Sequence, residues 1–116
     1  GDFGVVEAAK EKDFRAFSVD VNQCPNAPGH IVDMTLKHVD TAMVQAIGEI
    51  LEGGKQLTVS LGLKEGGMSA MALEEDNIAG SGCLIADHPE VAAKMREVAA
   101  SIEDGSLKLE DPMFAK

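Results

Sequence analysis

A chain of 116 residues has room for one ordinary domain, and its 45% apolar content is that of a globular protein rather than a disordered one. Ten basic residues against 20 acidic ones leave a net charge of −10, spread along the whole chain, a field that repels phosphate backbones and argues against nucleic-acid binding. Trp and Tyr are absent and Phe occurs four times, so a pocket built by this chain alone has few aromatic walls.

Residues 4–12 predict a helix rich in Ala, Glu and Lys, with Asp2 as its cap and Phe3, Val6 and Ala8 or Ala9 on one face. Asp13 then breaks the chain into a strand over 15–19 that closes on Asp20. Helix before strand is half of a βαβ unit. Together with the missing initiator Met, it predicts that the chain begins inside a longer gene product. A polar loop with two prolines (21–29) leads to a second short apolar run over 31–35, which delivers Lys37 to the next helix.

That helix is the clearest in the sequence. Val39, Ala42, Met43, Ala46, Ile47, Ile50 and Leu51 recur at helical spacing, with Thr35 as N-cap and Gly53-Gly54 as the stop. The stripe is expected to be core. Residues 57–61 alternate as a strand, 62–67 turn the chain, and 68–73 predict another strand of small residues. Residues 78–85 are Gly-rich and irregular. Pro89 opens a last helix with Val91, Ala92, Met95, Val98, Ala99 and Ile102 on its apolar face and a Glu90–Lys94 pair outside. Gly105 ends it, 106–109 reads as a terminal strand, and Asp111-Pro112 closes the ordered part.

Asp20 and Lys37 are the candidate site. Open α/β sheets line their ligand crevices at the carboxyl ends of the strands, and both residues stand at such ends. Asp20 has an alternative reading as a turn former, and Lys37 as a solvated side chain. A Lys near a helix N-terminus opposes the macrodipole, however, and calls for an acceptor such as Asp20 or a ligand oxygen. Other chemistry is missing from the sequence. There is no GxGxxG after a strand, no Walker sequence, no GxSxG and no HExxH, and Gly80-Ser81-Gly82 reads as a turn. His30, His38 and His88 are scattered, so neither a metal site nor a cofactor is expected. Cys24 and Cys83 lie 59 positions apart without a CxxC pair. A disulfide is open to them in an oxidising compartment, but the reading favours two unpaired thiols.

The order of these pieces resembles the C-terminal third of the basic membrane protein family, the substrate-binding lipoproteins of ABC importers that include purine nucleoside receptors. The resemblance rests on residues 4–12, Val19-Asp20 with Gln23, Lys37-His38-Val39-Asp40, Gly62-Leu63-Lys64-Glu65-Gly66-Gly67 and His88-Pro89-Glu90-Val91, and it spans nearly the whole chain. It implies an α/β fragment of a type I periplasmic-binding-protein fold, a Rossmann-like three-layer sheet with flanking helices. Residues 1–116 would be the C-terminal portion of a two-lobed domain whose other lobe lies upstream. It further implies that Asp20 holds ribose hydroxyls, that Lys37 binds the base or ribose edge, and that Gly1 approaches the ligand. The implied activity is reversible nucleoside capture without covalent chemistry, at the extracytoplasmic membrane surface. An importer permease would be the partner, and the membrane would be met only through an upstream lipid anchor. His38 stands where Arg is commoner in the family, Asn22 where a second acid is frequent, and Cys24-Pro25 gives an unusual loop. A sensor domain of the same family and a small stand-alone α/β enzyme are the alternatives.

Overall fold

Two parallel strands form the centre of the molecule, which the computed structural model describes over residues 1–55 and 59–110. Strand β1 (Ala16–Asp20) pairs in parallel with β2 (Ile31–Lys37), and the short β3 (Met68–Ala70) adds antiparallel to the other side of β2. Helix α1 (Asp2–Lys12) precedes the sheet, α2 (Val39–Leu51) follows β2, and α3 (Pro89–Glu103) closes the described fold. The architecture is therefore α/β as expected, with a small three-stranded mixed sheet.

Parallel neighbours ordinarily need a crossover of a dozen residues or more, usually a helix. Here residues 21–30 make the crossing with a single 3-10 turn, Cys24–Asn26. What makes so short a link stable is covalent. Cys24 and Cys83 are joined in a disulfide, with Cα atoms 4.9 Å apart. The sequence reading of two unpaired thiols is thus corrected: the loop after β1 and the loop before α3 meet in the core, which spacing alone does not reveal. The core around the bridge is modest. Its residues are Val6 and Ala9 from α1, Ala16, Ile31 and Met34 from the strands, and Ala27, Met71, Ala72, Ile85 and Ala92 from the turns and α3. Ala and Cys contribute little apolar area each, so a covalent staple carries weight that larger side chains would carry elsewhere.

The β1–β2 register shifts between Ala16↔Ile31 and Ser18↔Met34, which places an extra residue in β2. Asp33 sits in this bulge. It is buried, its Oδ1 accepts from the Met34 N–H at 2.7 Å, and its Oδ2 has no partner. Burial pushes its carboxyl above the usual range, and main-chain N–H groups of Met34, Ala72 and Met71 offset part of that cost.

Several local expectations are revised. Thr35 lies inside β2, and His38 is the N-cap of α2, because the strand continues to Lys37. Asp2 is the first residue of α1 with Gly1 as N-cap, and its carboxylate leaves its own helix for β1. The strand expected over 68–73 stops at Ala70 and continues as a 3-10 turn, Met71–Leu73, while 78–85 is organised by two more turns, Ile78–Gly80 and Leu84–Asp87. Of the strand expected over 57–61, residues 57 and 58 lie outside the described residues and 59–61 are not strand. Residues 106–109 form no strand either, and Asp111-Pro112 lies outside the described residues. Lys94 pairs with Glu97 at 2.8 Å, and Glu90 faces His88 at 3.5 Å. Most consequential is α2, expected to be core: none of its residues is buried.

Two outcomes follow from this packing. The Cys24→Ala/Cys83→Ala double variant should lose about 4 kcal/mol of unfolding free energy in urea melts, the chain-entropy value for a loop of this length; an unchanged midpoint would remove the bridge from its structural role. For Asp33, the raised native value means that the group favours the native state below its unfolded value of 3.8 and loses that contribution as pH rises through the native value. Asp33→Asn keeps the acceptor for Met34 N–H without the charge. Its melting temperature relative to wild type should therefore be higher at pH 7 than at pH 4.

Candidate functional site

Parallel pairing brings the carboxyl ends of β1 and β2 side by side, so their last residues share one edge. Asp20 pairs with Leu36 in the register, next to Lys37, and the Lys37 ammonium forms an ion pair with Asp20 Oδ1. Both side chains are about half exposed, 51% for Lys37 and 54% for Asp20. A pair so open to water contributes little to stability, on the order of 0–1 kcal/mol. Asp20 also carries a backbone cost. Its φ is +80°, in the left-handed region that a side chain with a Cβ rarely adopts. An exposed ion pair held on a strained residue is a poor structural device and a reasonable binding one.

The pair opens on a crevice of about 520 Å³, bounded on its far side by the segment from Met71 to Ser81. His38, just past β2, reaches Glu74 with Nε2 3.3 Å from Oε1. Asn22 donates from Nδ2 to the Ser81 carbonyl at 2.9 Å and accepts the Cys24 N–H on Oδ1 at 3.0 Å. Ser81 is itself buried, its hydroxyl donating to the Ile78 carbonyl at 2.7 Å and accepting the Cys83 N–H at 3.1 Å. The disulfide therefore stands directly behind the crevice floor, and both of its flanking loops are tied to the residues that line it.

Three carboxylates (Asp20, Glu74, Asp76) face the crevice against Lys37 and His38. The balance disfavours a phosphate ester and suits a neutral, hydroxylated ligand or one carrying positive charge. Asp20 can accept two hydrogen bonds from adjacent hydroxyls, and Lys37 can donate to a ring nitrogen or carbonyl. In the structure the two groups satisfy each other. Among the described residues, no cluster of three or more His, Cys, Asp or Glu side chains has metal-binding geometry.

The structure brings Asp20 and Lys37 into contact, as the sequence pattern anticipates, and adds Asn22, His38 and Glu74, which sequence reasoning did not assign to the crevice. The signal for them was their place in the loops that follow strand ends. Gly1 does not line the crevice; it is the exposed N-cap of α1. It comes near the same edge through its neighbour, because the Asp2 carboxylate accepts from the Ser18 hydroxyl and from the Val19 N–H, the latter at 3.3 Å.

Replacing Asp20 separates the structural from the functional reading. Asp20→Gly removes the backbone strain together with the exposed pair, and should raise unfolding free energy by about 1 kcal/mol in denaturant melts. A loss of 2 kcal/mol or more, on the order of a buried-network contribution, would make Asp20 a structural residue.

Comparison with protein-family models, with curated proteins and with solved structures gives no match to this chain, so the reading of the crevice rests on its geometry and chemistry.

Proposed function

We propose that this chain supplies one wall of a solute-binding cleft, as the C-terminal portion of a type I binding protein similar to the basic membrane protein receptors. Its ligand is a nucleoside or a similar small polar solute, captured reversibly for an ABC importer permease. The observation that carries the reading is the Asp20–Lys37 pair at the carboxyl ends of adjacent parallel strands, opening on a polar crevice. A vicinal diol offers two donors to one carboxylate, and a base edge offers acceptors to one ammonium. Both demands are met if the ligand takes the place of the pair's mutual contact.

Supporting features point the same way. The crevice is lined by hydrogen-bonding groups from three segments, which suits the reversible capture of a polar solute. The buried disulfide suits an oxidising, extracytoplasmic compartment. Closure of a second lobe over the crevice would exclude water and strengthen hydrogen bonds that are weak in the open state.

One open wall binds weakly, with dissociation constants near about 1 mM. In an NMR titration, the amide signals of Asp20 and Lys37 should move on addition of a ribonucleoside. The 2′-deoxy compound should bind about tenfold more weakly, the worth of one hydrogen bond to a charged acceptor. Asp20→Ala should abolish the difference. Equal binding of both sugars, or release of free base, would overturn the reading.

A further inference from the structure

The far wall of the crevice begins as a short 3-10 turn, Met71–Leu73, that ends on Glu74. One turn of this kind has poor hydrogen-bond geometry and does not hold its shape alone. Two charged side chains grip it from opposite sides. Asp33, buried in β2, faces the N–H groups of Met71 and Ala72. From α3, Arg96 Nη1 donates to the Ala72 carbonyl at 2.7 Å, and Arg96 Nε lies 3.3 Å from Glu75 Oε1. An anion therefore meets the donors of the turn, and a cation meets its acceptor. Of the two cations on α3, Lys94 pairs within its own helix with Glu97, whereas Arg96 leaves the helix for the turn.

The two Arg96 contacts differ in kind. Ala72 is fully buried, so the bond to its carbonyl is charge-assisted and largely shielded from water. Glu75 is 74% exposed, and a pair so open adds little stability. Its effect is geometric. A guanidinium is a rigid planar fork, and this one spans Ala72 and Glu75, the two residues that bracket Leu73 and Glu74. The main chain of Glu74 is occupied as well. Its N–H donates to the Met71 carbonyl at 3.1 Å, and its carbonyl accepts from the Asn77 and Ile78 N–H groups at 2.9 Å. What the clamp leaves to act is the Glu74 side chain. It lines the crevice with Oε1 3.3 Å from His38 Nε2, and Oε2 remains for a donor on the solute.

We propose that Arg96 is a positioning residue of the crevice: from behind the far wall it fixes the Glu74 carboxylate against His38 and toward the solute. The proposal rests on the solute-binding reading for what Glu74 meets in the crevice, but not for the contact between Glu74 and His38. A residue that only docks α3 on the fold would affect stability without selecting Glu74.

Two measurements on the oxidised full chain test this. The first needs no ligand. In NMR spectra, Arg96→Met should move the His38 ring signals to the positions that Glu74→Gln gives them. The His30 ring, beside Asp13 and the Phe14 carbonyl, should stay in place, because it would move only if the whole fold loosened. The second is a titration with adenosine. Arg96→Met and Glu74→Gln should each weaken binding about fivefold, the worth of one hydrogen bond. In the double variant the loss should be no greater than in either alone, because Arg96 acts through Glu74. Circular dichroism checks folding. Should Arg96→Met unfold, Arg96→Lys keeps the charge without the fork and should move the His38 signals part of the way. Unchanged His38 signals in a folded Arg96 variant would overturn the proposal, and so would additive losses in the double variant. Failure of the wild-type chain to bind adenosine or any other ribonucleoside would count against the solute-binding reading, while the His38 signals still decide whether Arg96 sets Glu74.

Discussion

A covalent bridge between two loops is the constraint on which the rest of this fold depends. Cys24 follows β1 and Cys83 precedes α3, and their bond fixes both segments against the strands at the centre of a core built largely from small side chains. Hydrogen bonds extend that constraint outward. Asn22 joins the first loop to the Ser81 carbonyl, while Ser81 in turn holds Cys83 N–H and the Ile78 carbonyl. The crevice floor and the disulfide are consequently one unit. Residues that can move little lie beneath the two, Asp20 and Lys37, that must exchange partners if a ligand enters.

The same arrangement separates rigidity from reactivity. Structural polar groups such as Ser18 and Ser81 are buried and bonded, whereas the charged groups of the crevice stand half in water. Asp33 is the exception, a buried carboxyl in the bulge of β2 that faces the main chain of the turn next to Glu74. Its position links the register of the central strand pair to the far wall of the crevice. A change in its charge would be felt by strand and wall together.

How much of this was legible in the sequence depended on whether a feature is set locally. The parallel strands and their terminal Asp20 and Lys37 follow from short apolar runs ending in charge, and adjacency of the strands does the rest. Thr35, being β-branched, suits a strand as well as a cap, so the start of α2 is not set by residue type alone. Periodicity located α2 correctly but cannot say what covers an apolar stripe; it records a face, and the partner of that face lies elsewhere. The disulfide joins residues that only tertiary folding brings together. Asp2 looks like a cap because its own helix is adjacent in sequence, while its partners, Ser18 and Val19, are adjacent only in space.

That tie from Asp2 has a consequence for how the molecule meets other strands. Among the described residues β1 is an edge, with Phe17 and Val19 exposed, and an open edge of apolar residues is a template on which a foreign strand can grow. The Asp2 carboxylate occupies the Val19 N–H and sets a negative charge beside the edge, so an incoming backbone finds a donor already taken and a carbonyl repelled. At the opposite edge, β3 is only three residues long, from Met68 to Ala70. One border of the sheet is guarded by charge and the other by brevity, which keeps a three-stranded sheet from becoming the seed of a longer one.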